Sequence, residues 1–107
     1  MSGTGLPALR ERLRVFADER DWGRFHTPKN LASALSVEAA ELLEIFQWLT
    51  SEESMAVMSG EAMSDAVLDE MADVLIYLVR LADVLDVDLV AAAAAKVDRN
   101  ELRFPPK

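Results

Sequence analysis

Cysteine is absent from the sequence, which excludes a disulfide framework, a thiolate metal site and a cysteine nucleophile, and makes a reducing compartment harmless to the protein. A cytoplasmic location is therefore the expectation. Histidine occurs only once, as His26, and no serine is placed to form a triad with it. Long apolar runs are also missing. The longest uncharged one, Leu89 to Ala95, is far below the ~20 residues of a membrane span, and the opening MSGTGLPALRERLRVF has no apolar signal segment. No membrane partner is expected. Basic residues are scarce, with 11 Lys and Arg against 19 Asp and Glu and a formal charge of −8. Binding to a nucleic-acid backbone depends on displacing counterions with basic side chains, so no nucleic-acid polymer is expected as a partner. A polyanionic ligand would need a metal to mediate.

What is present is a chain of 107 residues, 51% hydrophobic, enough for one domain spanning 1–107 with a real core. Apolar residues recur at helical spacing and no period of two is sustained, which predicts an all-α fold, a bundle of four main helices. The first runs from about Pro7 to Asp21 with Leu9, Leu13 and Phe16 inward. Thr27-Pro28 reads as an N-cap with proline at the first helical position, opening a second helix to about Leu49. Thr50 and Ser51 before Glu52 and Glu53 predict a short helix and turn ending at Gly60. A third helix opens near Ser64 and runs to about Leu85, and Asp88 caps a fourth from Leu89 to about Leu102, ahead of Pro105-Pro106.

Acids occupy positions in these helices where leucines belong. Around the second helix, Leu31, Leu35, Leu42, Ile45, Phe46 and Leu49 fall within roughly 80° of Glu38 at ~100° per residue. Glu41 lies about 60° to one side, at the edge of the stripe, and Glu44 about 120°, toward solvent. The third helix repeats the anomaly: Val67, Val74, Tyr77, Leu78, Leu81 and Leu85 surround Glu70, and Asp73 sits about 60° to the same side. A carboxylate taken out of water is costly unless paired, neutralised or bound to metal. About eight residues follow Glu41 to the helix end and about nine precede Glu70 after Gly60, so an antiparallel pairing brings Glu38, Glu41, Glu70 and Asp73 level.

Four converging carboxylates suit a hard cation, magnesium above all, which leaves coordination positions for water and phosphates. The plain alternative is salt bridging of these acids to Arg80, Lys29 or Arg24. A di-iron bundle would require Glu-x-x-His pairs, which the single His26 ahead of the second helix does not supply. Metal-assisted hydrolysis is the strongest chemical reading.

The pattern Glu38-x-x-Glu41 followed by Glu70-x-x-Asp73 on adjacent helices resembles the MazG-like nucleoside triphosphate pyrophosphohydrolases. The segment from Arg20 to Leu31 (RDWGRFHTPKNL), the run Glu41 to Trp48 (ELLEIFQW) and the ending Lys96 to Pro105 (KVDRNELRFP) are similar to the dCTP pyrophosphatase branch of that family. The resemblance covers roughly Phe16 to Pro105. It implies Mg2+ held by Glu38, Glu41, Glu70 and Asp73, with Trp22, His26, Trp48 and Tyr77 at nucleotide-contacting positions. It also implies a nucleoside triphosphate substrate, dCTP or a related or modified pyrimidine nucleotide, split to monophosphate and pyrophosphate. One departure is Leu13, where that branch can carry a polar residue facing the nucleotide.

Within this reading Glu41, at the wetter edge of its stripe, is the candidate general base, beside an equally open role as a plain ligand. Trp22 and Trp48 offer faces for stacking, or serve as core and cap residues, and His26 can donate to a phosphate or base oxygen. Lys96, Asn100 and Arg103 share a face of the last helix, where they can hold the β- and γ-phosphates or complement the helix dipole. Trp48 and Tyr77 fall at opposite ends of the carboxylate cluster in an antiparallel pair, too far apart to grip one base. An active site shared between two subunits resolves this, and the resemblance implies a homodimer or a homotetramer made of dimers. A non-catalytic helical module, binding nucleotides or other proteins, is the competing reading.

Overall fold

The computed structural model describes residues 4–107 and consists of helices α1 (Gly5–Glu19), α2 (Pro28–Phe46), α3 (Ser51–Met55), α4 (Glu61–Val84) and α5 (Leu89–Arg103), with a 3-10 turn at Val57–Ser59. The first three residues of the expected domain lie outside the described part. Among the described residues there is no strand, as the periodicity required, and no helix is long and apolar enough to cross a membrane.

Local chemistry explains the boundaries. Thr27 accepts from the Asn30 N–H ahead of Pro28, and Asp88 accepts from the Ala91 N–H, so both expected caps are in place. Thr50 and Glu53 form a reciprocal capping box that starts α3. The first helix ends at Glu19, short of the expected Asp21, because Asp21 turns to φ 54. The Trp22 N–H then reaches back to the Ala17 carbonyl and the Asp21 N–H to the Asp18 carbonyl. Asp86, at φ 55, ends α4 in the same way, with Val87 bonded to Ala82 and Asp86 to Asp83. Aspartate tolerates this left-handed conformation better than most residues, and the motif satisfies carbonyls that the helix end would orphan. The first of these turns delivers Trp22 beside α1.

The dominant packing is α2 against α4, and it is antiparallel. His26, just ahead of α2, meets Arg80 late in α4, while Ile45, late in α2, shares a cleft with Ala66 early in α4. Helix α1 covers another side of α4, where Arg14 bonds Asp83. The core is small: Ala17, Leu31, Val57, Val67, Val79 and Ala82 are its buried apolar residues. Phe16, expected inward, is 43% exposed and carries the Arg20 guanidinium 3.6 Å above its ring.

Helix α5 does not close a four-helix bundle within the chain. None of its residues is buried, and only Leu89 and Asn100 are partly covered. The radius of gyration, 16.7 Å, exceeds the about 13 Å of a compact chain of this length.

Candidate active site

The Glu-x-x-Glu and Glu-x-x-Asp spacings put each acid pair on one side of its helix, and the antiparallel register brings the two sides together. Glu38, Glu41 and Glu70, each half-buried, offer carboxylate oxygens within 4.8 Å of one another. Asp73 lies close enough for its charge to act on both Glu38 and Glu70 but falls outside that trio. Glu44 is exposed, as its wheel position required, yet it lines an open cleft of about 430 Å³ with Glu41, Ile45, Ala66 and Glu70.

Crowding like charges makes ionisation unfavourable. Glu38 is pushed up to about 7, first by a hydrogen bond with the Glu41 carboxylate that needs a proton, then by desolvation and the charges of Glu41, Glu70 and Asp73. Glu70 is raised from the usual carboxylate range mainly by desolvation, with the charges of Glu41 and Asp73 adding to it. The salt bridges that would have explained these acids are not formed. Arg80 pairs with Asp83 and Arg24 with Asp21, and among the described residues no ion pair reaches the cluster. Oε2 of Glu70 is buried with no hydrogen-bond partner, which is costly for an acceptor inside a protein. An all-oxygen donor set with an unsatisfied buried oxygen fits a cation, so the cluster can hold a metal ion.

Beside the cluster, one helical turn past Asp73, lies a cavity of about 400 Å³ lined by Leu9, Leu13, Phe16, Trp22, His26, Tyr77 and Arg80, among others. The Trp22 ring sits edge-on to Phe16 at 5.5 Å and 6.1 Å from the His26 ring. The resemblance implies that Trp22, His26, Trp48 and Tyr77 share the nucleotide, and the fold brings Trp22, His26 and Tyr77 of these into one cavity. Trp48 is elsewhere, 86% exposed at the opposite end of α2. Lys96, Asn100 and Arg103 ride on the outlying α5, away from the acids of their own chain.

The sequence reading missed the role of Arg80. This residue is 7% exposed, donates from Nε to His26 Nδ1 at 3.0 Å and from Nη1 to Asp83 Oδ2 at 3.0 Å. Asp83 also accepts from Arg14, whose hydrogen bond holds its carboxyl below the usual range. The available signal was a charged pair, Arg80 and Asp83, inside the otherwise apolar run Leu78 to Leu85.

An antiparallel helix pair with inward acids and an aromatic cavity defines a helical domain whose acidic cluster can hold a metal ion beside a cavity lined by aromatic rings. The MazG-like family pattern matches residues 33–105, and the chain belongs to that family. It is 47% identical over 100 residues to dCTP pyrophosphatase 1 of Homo sapiens and 46% identical to that of Bos taurus, in each case over 94% of this chain and 59% of the relative. The chain thus spans little more than half the length of the curated relatives it matches. A pyrophosphatase from Archaeoglobus fulgidus superposes with a TM-score of 0.89 at 43% identity, covering 99% of this chain and 97% of that one.

Proposed function

We propose that the chain is a magnesium-dependent nucleoside triphosphate pyrophosphohydrolase, acting in the cytoplasm as one domain. Its substrate is dCTP or a related or modified pyrimidine nucleotide, and its products are the monophosphate and pyrophosphate. The observation that carries the reading is the cluster of Glu38, Glu41 and Glu70, joined by no ion pair among the described residues and holding an orphaned buried oxygen, next to an aromatic cavity. Family membership and the relatives' names support it.

Glu38, Glu41, Glu70 and Asp73 would hold the Mg2+, which when bound neutralises charge on the triphosphate and on the departing pyrophosphate. Trp22, His26 and Tyr77 hold the base. Water attacks the α-phosphorus, the bond to the bridging oxygen breaks, and pyrophosphate leaves. Glu41 takes the water's proton, a role supported by its half-buried position on the open cleft.

The site is shared between subunits of a homodimer or homotetramer. Exposed surface is 8281 Å², against about 5,900 Å² for a compact monomer of this mass. Val37, Leu43, Trp48, Leu68 and Met71 all stand in solvent in the single chain. Trp48, Lys96, Asn100 and Arg103 lie away from their own chain's acids, so a neighbouring copy is the source of these contacts, with α5 supplying the β- and γ-phosphate grip. The test is pyrophosphate release from a panel of nucleoside triphosphates with and without magnesium. Release that requires magnesium and favours a pyrimidine supports the reading, whereas nucleotide binding without release would leave a non-catalytic binding module.

A further inference from the structure

We propose that Arg80 is a positioning residue that fixes His26 as the neutral imidazole protonated at Nε2, so that the cavity presents one N–H donor to a carbonyl oxygen of a bound base. The ligand half of this statement rests on the nucleotide reading above; the tautomer half does not.

The geometry is specific. Arg80 Nε lies 3.0 Å from His26 Nδ1, and an arginine Nε–H can donate but never accept. The facing nitrogen must therefore offer a lone pair, which puts the ring's single proton on Nε2. An imidazolium would set proton against proton and cation against cation. Burial and the Arg80 charge both act in that direction, holding the ring below its ordinary pKa. Arg80 cannot easily turn away, because Nη1 is bonded to Asp83, which is bound in turn by Arg14 and flanked by Arg10 at 3.9 Å. The His26 backbone is fixed too, its N–H bonded to the carbonyls of Trp22 and Gly23. The backbone N–H and one ring nitrogen are thus both occupied, and Nε2–H is the donor left for a ligand.

The chemistry favours a base with a carbonyl acceptor, as pyrimidines have. If the proton sat on Nδ1 instead, a lone pair would face that carbonyl, and the site would repel the group it is meant to read.

Because His26 is the sole histidine, long-range proton–nitrogen NMR on the uniformly nitrogen-labelled wild-type protein at pH 7 reads its tautomer without assignment ambiguity. The expected spectrum shows a lone-pair nitrogen at Nδ1 and a protonated one at Nε2. Protonation at Nδ1, or an imidazolium, overturns the proposal. Titration with dCMP should then shift the Nε2 signal. If dCMP moves other signals but not Nε2, the base-donor role is wrong. If dCMP moves nothing, the nucleotide reading and that role both fail, while the nucleotide-free spectrum still decides the tautomer. In kinetics, Arg80→Met should raise KM for dCTP about tenfold with kcat within about twofold, and Arg80→Lys, which keeps a donor, should recover part of the loss. A KM unchanged in folded Arg80→Met protein overturns the positioning role.

Discussion

Arg14 on α1 and Asp83 on α4 are joined by a two-pronged hydrogen bond, with Nε 3.0 Å from Oδ2 and Nη2 on Oδ1. Nearly all of the Asp83 side chain is covered, whereas Arg14 is about half exposed. This contact fastens α1, and with it the Leu9, Leu13 and Phe16 wall of the cavity, to the helix that carries Glu70 and Tyr77. Asp83→Asn leaves Arg80 buried without its charge partner and should lower stability by about 2–3 kcal/mol, read as a lower urea midpoint at unchanged slope.

The same contact sets an acid limit. The Asp83 carboxyl is held below its ordinary value of 3.8, first by the hydrogen bond from Arg14. A lowered folded-state value adds stability that is complete above the unfolded pKa and is lost as pH falls through the folded one. Wild-type protein should therefore lose more stability than Asp83→Asn when taken from pH 5 to pH 2, in thermal melts run side by side. Equal losses would show that the pair does not govern acid unfolding.

At the carboxylate cluster the sign is reversed. Glu38, raised to about 7, holds a proton in the folded state that the unfolded chain has released, so metal-free stability should decline as pH rises from about 4.5 to about 7. Magnesium should flatten that decline, because a bound cation replaces the proton as the source of compensation. Melting curves in chelator and in magnesium across this range check both signs.

Glu38→Gln and Glu70→Gln remove one of several mutually repelling acids each. Hydrolysis should fall more than about a hundredfold in either variant, while the metal-free melting temperature at pH 8 should rise rather than fall. Near-normal turnover of either variant at saturating magnesium would remove that residue from the ligand set.

Why these acids were legible from sequence, while Arg80 was not, is a matter of range. A glutamate inside an apolar stripe contradicts the helix that carries it, and that contradiction is visible in local periodicity, as are the caps at Thr27 and Asp88. Arg80 sits at the edge of its stripe, where an arginine is ordinary. Its meaning comes from His26, which lies 54 positions earlier in the chain, and no local pattern announces such a pairing. The ends of α1 and α4 were misjudged by a residue or two because they depend on Asp21 and Asp86 adopting a left-handed backbone more typical of glycine. The stand-off of α5 was illegible for a further reason. Its alanine run has high helix propensity whether or not anything packs on it.

That stand-off leads to the last prediction, that one chain cannot build a working site. Trp48 is 86% exposed at the far end of α2, and Tyr77 lies in the cavity with Trp22 and His26. The antiparallel register puts the carboxylates between them, so a single chain cannot bring both to one base. A two-fold neighbour would resolve the conflict by laying the partner subunit's Trp48 over the first subunit's acidic cluster, burying apolar surface that is otherwise in water. Glu38→Ala and Trp48→Ala should each be inactive alone, for different reasons: one lacks a ligand on its own chain, the other lacks the face it lends. When the two proteins are mixed under conditions that exchange subunits, each mixed dimer holds one site with Glu38 from one chain and Trp48 from the other. A fraction of wild-type activity should return, rising with the time allowed for exchange. If native mass spectrometry shows mixed dimers and activity stays absent, each chain completes its own site and the placement of Trp48 is wrong.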